Sequence, residues 1–215
     1  MLTCGADGKI QGFDPFRVGL AFGAFASNVT FGDGIHPYIE RESASASFEW
    51  HPNLDTTLSW GAGASLGGRM IFDDVHETIG AGWLVTFAYT RRLMTGLGSK
   101  PFMLMSFSAG VSEASTYPTT PAPNPGTEPL WAIDVRAGLV VGKTFWRTLS
   151  PYGAARVYGG PIIWKYAGQT RTGTDEGHFQ IAAGMVASLP KGFDLFGEVA
   201  PIFERGVTVG VGKSF

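Results

Sequence analysis

Hydrophobic and polar residues alternate with a period of two from about residue 17 to the end of the chain. In the segment 38–50, for example, Ala44, Ala46, Phe48 and Trp50 lie on one face, and arginine, serine and glutamate residues lie on the other. Successive side chains of a β-strand point to opposite faces, so this pattern is typical of strands with one apolar face. Segments with the i, i+3, i+4 spacing of amphipathic helices are hard to find. The sequence therefore predicts an all-β fold.

The same alternation divides the chain into about ten strands. They are predicted near residues 17–31, 38–50, 56–72, 77–91, 101–113, 130–144, 151–166, 178–189, 194–203 and 206–215. A run of about 18 apolar residues is absent, so a membrane-spanning helix is excluded by its length. A closed barrel needs only about ten alternating residues per strand and leaves no unpaired edge. We predict a closed antiparallel transmembrane β-barrel with an up-and-down meander, in which eight strands are the alternative to ten.

A soluble β-sandwich would show the same alternation. A sandwich buries its apolar faces and exposes its polar faces to water. Here the polar faces consist mainly of glycine, serine and alanine, which would form a bare solvent surface. The barrel is therefore the preferred interpretation, with an N-terminal tail at residues 1–16 and the barrel at residues 17–215.

The predicted connections between strands alternate between short and long. The short ones are residues 51–55, 95–100, 147–150 and 190–192, and the long ones are residues 32–37, 69–76, 115–129 and 167–177. Outer-membrane barrels have short periplasmic turns and long extracellular loops, and an even strand number leaves both chain ends on the turn side. We therefore expect a periplasmic tail and a periplasmic C-terminus. The tract 115–129 has five prolines, so it is predicted to be an extended, poorly ordered extracellular loop.

Composition narrows the classes of function. Charged residues make up 16% of the chain, below the roughly 25% that is usual in soluble domains. The formal net charge of −2 argues against a nucleic-acid partner, because nucleic-acid-binding domains usually carry a basic excess. Cys4 is the only cysteine, so no intramolecular disulfide can form. Lipid attachment at Cys4 is disfavoured because Met1–Thr3 is too short for a signal peptide, and we expect a free thiol.

Aromatic residues concentrate near the predicted strand ends. Two girdles at the membrane interfaces would explain this, since tryptophan and tyrosine favour the boundary between lipid and water. The predicted girdle residues are Trp50, Trp60, Trp131, Trp146, Tyr152, Trp164 and Tyr166. The alternative is that aromatic residues are enriched because they favour strands in general.

The last ten residues form a compact motif. Val207, Val209, Val211 and the terminal Phe215 share one face of the final predicted strand. This strand resembles the closing strand of bacterial outer-membrane β-barrels, in which alternating apolar residues end in a terminal aromatic residue. The resemblance implies that the barrel-assembly machinery recognises the strand as an assembly signal. Lys213 departs from the family pattern, in which an aromatic or apolar residue is usual at this position.

Six charged residues are predicted by strand phase to point into the barrel. They are Arg41, Glu49, Asp134, Arg136, Arg156 and Glu198, three bases and three acids. Because an unpaired charge in a narrow barrel is costly, a paired network that bridges opposite walls is the expected arrangement. The alternative is a constriction that selects ions or small solutes. About ten strands enclose only a narrow lumen, so a general diffusion porin is not expected.

The segment Phe72–Glu77 is the strongest candidate for catalysis. It places Asp73, Asp74 and Glu77 near His76, and a histidine held by a carboxylate can act in general acid–base chemistry. Outer-membrane proteases use Asp and His residues on loops at the barrel mouth, but a second acidic pair that would match that family is missing here. A solvated polar loop is the simpler interpretation.

A metal site built from His36, His76 and His178 would require three loops to converge, and no ligand spacing supports it. We expect neither a metal ion nor another cofactor. The preferred function is a non-enzymatic outer-membrane scaffold with mobile extracellular loops. The alternatives are a narrow channel for ions or small solutes and, third, an outer-leaflet hydrolase with an Asp/His site. The expected partners are the lipid bilayer with its lipopolysaccharide, the barrel-assembly machinery and an unidentified protein at the loops.

Overall fold

The computed structural model describes residues 14–73, 75–96, 100–118 and 127–215, which fold into twelve β-strands and one 3₁₀ turn. The strands are β1 (Phe16–Phe31), β2 (Tyr38–Asn53), β3 (Thr56–Phe72), β4 (Val75–Thr95), β5 (Phe102–Pro118), β6 (Glu128–Gly142), β7 (Leu149–Gly159), β8 (Ile162–Tyr166), β9 (Gln169–Asp175), β10 (Phe179–Ser188), β11 (Phe193–Ala200) and β12 (Arg205–Ser214). The 3₁₀ turn is Pro190–Gly192. None of the helical structure in these ranges is long and apolar enough to span a membrane.

Ten of the strands close into a ring of antiparallel pairs. The order is β1, β2, β3, β4, β5, β6, β7, β10, β11 and β12, and β12 closes the ring by pairing with β1 over ten residue pairs. Paired residues followed around the ring from Gly142 of β6 lead back to β6 at Leu130, a register shift of 12 residues. A shift of this kind requires strands tilted by about 40° from the barrel axis. The predicted closed barrel of ten strands is confirmed, and a sandwich with open sheet edges is excluded.

Both ends of the barrel wall lie together. The backbone of Phe16 pairs with that of Phe215, with N to O distances of 3.3 and 3.0 Å. The short turns that follow β2, β4, β6 and β10 lie at this same end of the ring. Residues 1–13, which include Cys4 and most of the predicted tail, lie outside the described part of the chain.

The hairpin of β8 and β9 differs from the prediction. The sequence predicts one strand near 151–166 and a loop at 167–177, whereas the structure ends β7 at Gly159 and starts a new strand pair. Pro161 has no N–H to donate to a ladder, which explains why the strand cannot continue through it. The turn residues Ala167 and Gly168 both have positive φ, 52° and 76°, as a two-residue hairpin turn requires.

The β8–β9 hairpin continues the barrel wall beyond the ends of four shorter strands. β8 pairs with Leu130–Ala132 of β6, and β9 pairs with Val29–Phe31 of β1. At this end the ring therefore consists of β1 to β6, β8 and β9, eight strands in place of ten. We call this eight-stranded part the extension. It lies at the end of the barrel opposite to Phe16 and Phe215.

Two predicted long loops are mostly strand. β3 runs to Phe72 and β4 begins at Val75, although the sequence predicts a loop at 69–76. In the same way β5 and β6 occupy both ends of the predicted loop 115–129, and residues 119–126 between them lie outside the described residues. In both places the backbone finds ladder partners on the neighbouring strand beyond the predicted boundary.

An apolar band surrounds the middle of the ring. On β4 the outward residues from Ala81 to Tyr89 are all apolar or aromatic, over a length of nine residues. A tilted strand crosses a bilayer with about nine to eleven residues, so the band has the height of a hydrocarbon core. Beyond the band the outward residues become polar, as Glu40, Arg69 and Thr78 show.

In the extension the apolar residues lie mainly on the inner face of the wall, whereas in the band they lie on the outer face. There the inward residues are apolar and pack into a core across the lumen. We call this core the apolar plug, and it consists of Val29, Phe31, Ile39, Met70, Phe72, Ile79, Ala114, Leu130, Ile162 and Trp164. The extension therefore has a mainly apolar interior, as a soluble barrel does, with Glu77 and Thr116 as buried polar residues.

Two β-bulges change which residues of β3 and β4 face inward, so that the apolar residues beyond each bulge point into the plug. One lies at Leu66–Gly67 of β3, where Gly67 has a φ of 140°. The other lies between Ile79 and Gly82 of β4. Because a bulge adds one residue to one strand, the residues beyond it change face. Leu66 still has the outward phase of Ala62 and Ala64, whereas Met70, beyond the bulge, points into the plug.

Candidate functional site

The polar side chains in the lumen form the candidate site. The structure places the six charged residues predicted for the interior inside the lumen: Arg41, Glu49, Asp134, Arg136, Arg156 and Glu198. Five of them belong to ion pairs, whereas Arg41 has no carboxylate partner in the described ranges. They occupy three levels: a cluster near the chain ends, a network in the middle of the lumen, and Arg41 below the plug.

The cluster near the chain ends joins three strands. Arg17 of β1 forms an ion pair with Glu49 of β2. It also donates two hydrogen bonds to Asp194 of β11, at 2.9 Å from Nε and 2.7 Å from Nη2. The sequence analysis does not predict Arg17 and Asp194. Their phase in the strand alternation, shared with Gly19 and Glu198, is the signal that identifies them.

Two arginines organise the middle of the lumen. Arg156 binds Glu198 in a bidentate pair, with Nη1–Oε1 and Nη2–Oε2 distances of 2.6 and 2.7 Å. Arg136 binds both carboxylate oxygens of Glu204, and its Nε donates to Asp134 at 2.5 Å. Pairs with two parallel hydrogen bonds fix the orientation of both partners. These contacts hold three strands, β6, β7 and β11, and one turn together across the interior.

Gln180 joins the two arginine pairs into one network. Its amide oxygen accepts a hydrogen bond from Arg156 at 2.8 Å, and its amide nitrogen donates to Glu204 at 2.9 Å. We call the resulting group the lumen network, and it consists of Asp134, Arg136, Arg156, Gln180, Glu198 and Glu204. The sequence analysis misses Glu204 because it places this residue between two strands, where a solvated position is normal. The turn after β11 instead folds inward and buries it.

A cavity of about 210 Å³ lies beside the lumen network. Charged and amide groups of the network form one side, and small residues of β1, β2 and β12 form the other. The lining residues of that other side include Gly23, Ser43, Ser45 and Thr208. A water molecule takes up about 30 Å³ of liquid volume, so the cavity has room for several waters or one small polar solute.

Arg41 lies between this cavity and the plug. Its Nη1 is 3.4 Å from the Oγ of Ser112, and its guanidinium lies 5.9 Å from the centre of the Phe25 ring. Its Nε is buried without a hydrogen-bond partner among the residues described. Arg41 therefore differs from the other lumen arginines, all of which bind carboxylates.

Three of the predicted girdle residues, Tyr152, Trp164 and Tyr166, point inward, so their assignment to the membrane interface is wrong. Trp164 is fully buried in the plug, where it stacks on Tyr166 with ring centroids 4.4 Å apart and donates to Thr116 Oγ1 at 3.0 Å. Tyr152 donates to Glu198 at 2.9 Å in the lumen. A position near a strand end does not determine which face a residue occupies. The other girdle residues lie exposed on the outer surface: Trp50, Trp60, Trp131 and Trp146.

The structure does not bring Glu77 to His76. Successive residues of β4 face opposite sides, so His76 points outward while Glu77 is buried in the extension. Asp73 lies in the turn between β3 and β4, and Asp74 lies outside the described residues. Glu77 therefore cannot orient His76 as a catalytic carboxylate would.

The histidines considered as metal ligands have separate partners. Nδ1 of His36 lies 2.7 Å from Oε1 of Glu176. This contact, together with a hydrogen bond that Thr30 donates to Glu176, lowers the pKa of Glu176. Nδ1 of His178 lies 3.2 Å from the backbone oxygen of Tyr158. Within the ranges that the structure covers, no group of three or more His, Cys, Asp or Glu residues is arranged to hold a metal ion.

Glu77 is a buried carboxylate in the extension, beyond the apolar band. Burial raises the pKa of Glu77, and the nearby carboxylate of Glu128 raises it further. Burial and the same two carboxylates also raise the pKa of Tyr166. The carboxylate oxygen Oε2 of Glu128 is buried and has no hydrogen-bond partner among the described residues.

We expect the stability of the extension to fall as the pH rises, because of Glu77. The pKa of Glu77 is near 4.5 in the unfolded chain and higher in the folded chain, so the folded state binds more protons between these two values. The contribution of Glu77 to stability is fully present below its pKa in the unfolded chain and is lost as the pH rises through its pKa in the folded chain. Thermal unfolding measured from about pH 4 to pH 8 should show a weaker pH dependence for Glu77→Gln than for the wild type. Glu42→Gln on the outer face is the control, and an unchanged slope in Glu77→Gln contradicts the prediction.

The residues of the predicted assembly signal share the outer face of β12. Val207, Val209 and Val211 point outward, and the terminal Phe215 is exposed with its ring 6.2 Å from that of Phe16. The ammonium group of Lys213, the departure from the family pattern, lies 4.8 Å from the centre of the Phe193 ring.

Comparisons with known proteins show similarity of fold. No family model and no curated protein matches the chain. The translocator domain of the autotransporter NalP from Neisseria meningitidis has a TM-score of 0.54 at 14% identity, over 98% of this chain and 92% of that chain. The outer membrane protease OmpT from Escherichia coli has a TM-score of 0.54 at 9% identity, over 96% and 99%. The transport unit of the autotransporter AIDA-I from Escherichia coli has a TM-score of 0.50 at 11% identity, over 94% and 90%. At these identities the likeness concerns the fold alone: this chain is a closed β-barrel, as these three structures are.

Proposed function

We propose that this protein is a non-conducting barrel of a bacterial outer membrane, which serves as a rigid scaffold and presents its extension at the cell surface. The observation that carries the proposal is the filled lumen. Phe31, Met70 and Trp164 of the apolar plug are each at most 1% exposed, and the lumen network cross-links the walls below them. A rigid wall of this kind suits contact with a partner at the surface better than transport.

The outer surface supports the membrane position. The apolar band fits the thickness of a bilayer, and the fold is that of outer-membrane barrels. The even number of ring strands places both chain ends with the short turns, which are periplasmic in such barrels. A groove of about 790 Å³ just above the band carries Arg69 and Arg205, where lipid headgroups or lipopolysaccharide phosphates would lie.

The extension supplies the surface for a partner. Most outward residues of its hairpin are polar, and these are Lys165, Thr170, Thr172 and Thr174, whereas the outward Ile163 is apolar. An unidentified protein that binds this wall would meet a preformed surface, because the plug holds the hairpin in place. Little conformational entropy would then be lost on binding.

Single-channel conductance of the refolded protein in a planar bilayer tests the scaffold function. We expect the wild-type protein to insert and to remain silent. A variant in which residues 162–175 are replaced by a short glycine–serine linker should conduct, because the plug loses Ile162 and Trp164. Lys165→Gln, on the outward face of the hairpin, should stay silent. Steady openings of the wild type that change in Arg136→Ala would overturn the scaffold function and favour a narrow channel.

One observation favours a gated channel as the second candidate. The hairpin is held by three residue pairs to β6 and three to β1, whereas β1 and β2 share thirteen. Brief openings of the wild type that disappear when Trp131→Cys and Ile163→Cys are joined in a Cys4→Ser background would support this candidate. The pair Trp131 and Ile163 is chosen because the two residues are partners in the β6–β8 ladder.

We infer that the barrel-assembly machinery inserts this protein and reads its last strand. Deletion of Phe215 should reduce the amount of folded barrel in the outer membrane of expressing cells, because the exposed terminal ring is the recognised feature. Refolding of the same variant in detergent should be nearly unchanged. Phe193→Ala, which removes an exposed aromatic ring at the same end, is the control. Normal insertion without Phe215 would contradict the inference.

A further inference from the structure

Arg41 is a buried cation without a counter-charge. It is 8% exposed, and no carboxylate in the described ranges lies within 4.0 Å of its guanidinium nitrogens. Its one hydrogen bond to the described residues is the contact of 3.4 Å to Ser112. A guanidinium carries five N–H donors and no acceptor, so most of its donors are unused.

Among the residues that the structure describes, Arg41 has hydroxyl groups nearby and no carboxylate partner. Its side chain starts on β2 and crosses the inner faces of β3 and β4 to reach Ser112 on β5. Ser65 lies on β3, is 1% exposed, and its hydroxyl has no hydrogen-bond partner in the part of the chain that the structure describes. Above these groups lie the apolar side chains of the plug, which include Ile79 and Ala114.

We propose that Arg41, Ser65 and Ser112 bind the carboxylate group of a small organic anion inside the lumen. An unpaired buried charge is unfavourable, and a bound carboxylate would supply the missing negative charge. The planar fork of the guanidinium matches the two oxygens of a carboxylate, and the serine hydroxyls can donate to the same oxygens. The site lies beyond the scaffold function, which needs no ligand in the lumen.

The central cavity supplies the approach to this site. Phe25 and Ser43 line the cavity. Phe25 is the register partner of Arg41 on β1, and Ser43 is the next inward residue on β2. Arg41 itself does not line the cavity, but these two neighbours do, so the cavity ends next to the proposed site. The apolar residues above would shield the ion pair from water.

Acetate labelled with ¹³C is the probe, and its NMR relaxation is measured with the refolded full chain in detergent micelles. We expect saturable binding to the wild type and binding weaker by about tenfold or more to Arg41→Gln. Acetamide has the same shape without the charge and should not bind. Arg69→Gln, which removes an arginine from the outer surface, should bind acetate as the wild type does.

Several results would overturn the proposal. They are the absence of saturable acetate binding to the wild type, and equal binding to Arg41→Gln and the wild type. Displacement of acetate by an equal concentration of chloride would show that the site does not recognise a carboxylate. If Arg41→Gln does not fold, Ser112→Ala takes its place, because it keeps the charge and removes one hydroxyl. Acetate should then bind several-fold more weakly, and unchanged binding would count against the site.

Discussion

Replacement of Trp164 by alanine is expected to destabilise the extension by about 3–5 kcal/mol. The indole is completely buried, stacks on Tyr166, and contacts the rings of Phe31 and Phe72 at centroid distances of 5.6 and 5.5 Å. Its loss leaves a large cavity and removes the hydrogen bond to Thr116. Amide hydrogen exchange in the β8–β9 hairpin should become faster on the order of 10²–10⁴-fold, because each 1.4 kcal/mol is a factor of about ten.

Trp131→Ala provides the matched control for Trp164→Ala. Trp131 has the same side chain but lies exposed on the outer face, where it packs edge-on against Trp83 at 5.5 Å. Its loss should cost about 1 kcal/mol, the value of one aromatic pair, and should leave exchange in the hairpin almost unchanged. Equal effects of the two substitutions would mean that the plug is not what holds the extension together.

Replacement of Arg136 by alanine is expected to lower the free energy of unfolding by about 3–5 kcal/mol, because it leaves the buried carboxylate of Glu204 without its cation. Glu204 is 7% exposed, and Gln180 is its remaining partner in the lumen network. Urea-induced unfolding of the protein in lipid vesicles, followed by tryptophan fluorescence, measures the change. The double variant with Glu204→Leu should recover part of the loss, since no buried charge is then left behind.

Arg69→Ala is the control for Arg136→Ala. Arg69 pairs with Glu40 at 2.5 Å on the outer surface, where its side chain is 61% exposed. Exposed ion pairs contribute about 0–1 kcal/mol, so this variant should unfold almost as the wild type does. A loss in the double variant as large as in Arg136→Ala alone would show that the buried charge of Glu204 is not the cause.

Much of the barrel could be predicted because each strand of the apolar band follows a simple rule. Every second residue lies on the outer face and every other residue faces the lumen, so Trp60, Phe87 and Phe107 fall outside. The rule needs no knowledge of the neighbouring strands. It also placed Arg156 and Glu198 inside, and their pairing follows from the cost of leaving either one alone.

The sequence did not predict which residues pair with each other within the lumen. Arg17 and Asp194 are 177 positions apart in the chain, and alternation says nothing about which inward residues meet. Glu204 lies in a turn, where a period of two does not apply, and Gln180 carries no charge that would have drawn attention to it. Such contacts depend on strand register and barrel tilt, which are properties of the closed ring.

By itself the sequence determined the class of fold, the number of ring strands and the polarity of the two faces in the band, because these depend on local alternation. Only the tertiary structure decided that the lumen is filled at one end. The break at Pro161 releases a hairpin that narrows the ring from ten strands to eight, and the bulge at Gly67 turns Met70 inward. A shift of one residue reverses the face of everything beyond it, so strand-by-strand alternation could not predict that Trp164 and Met70 would meet in one core.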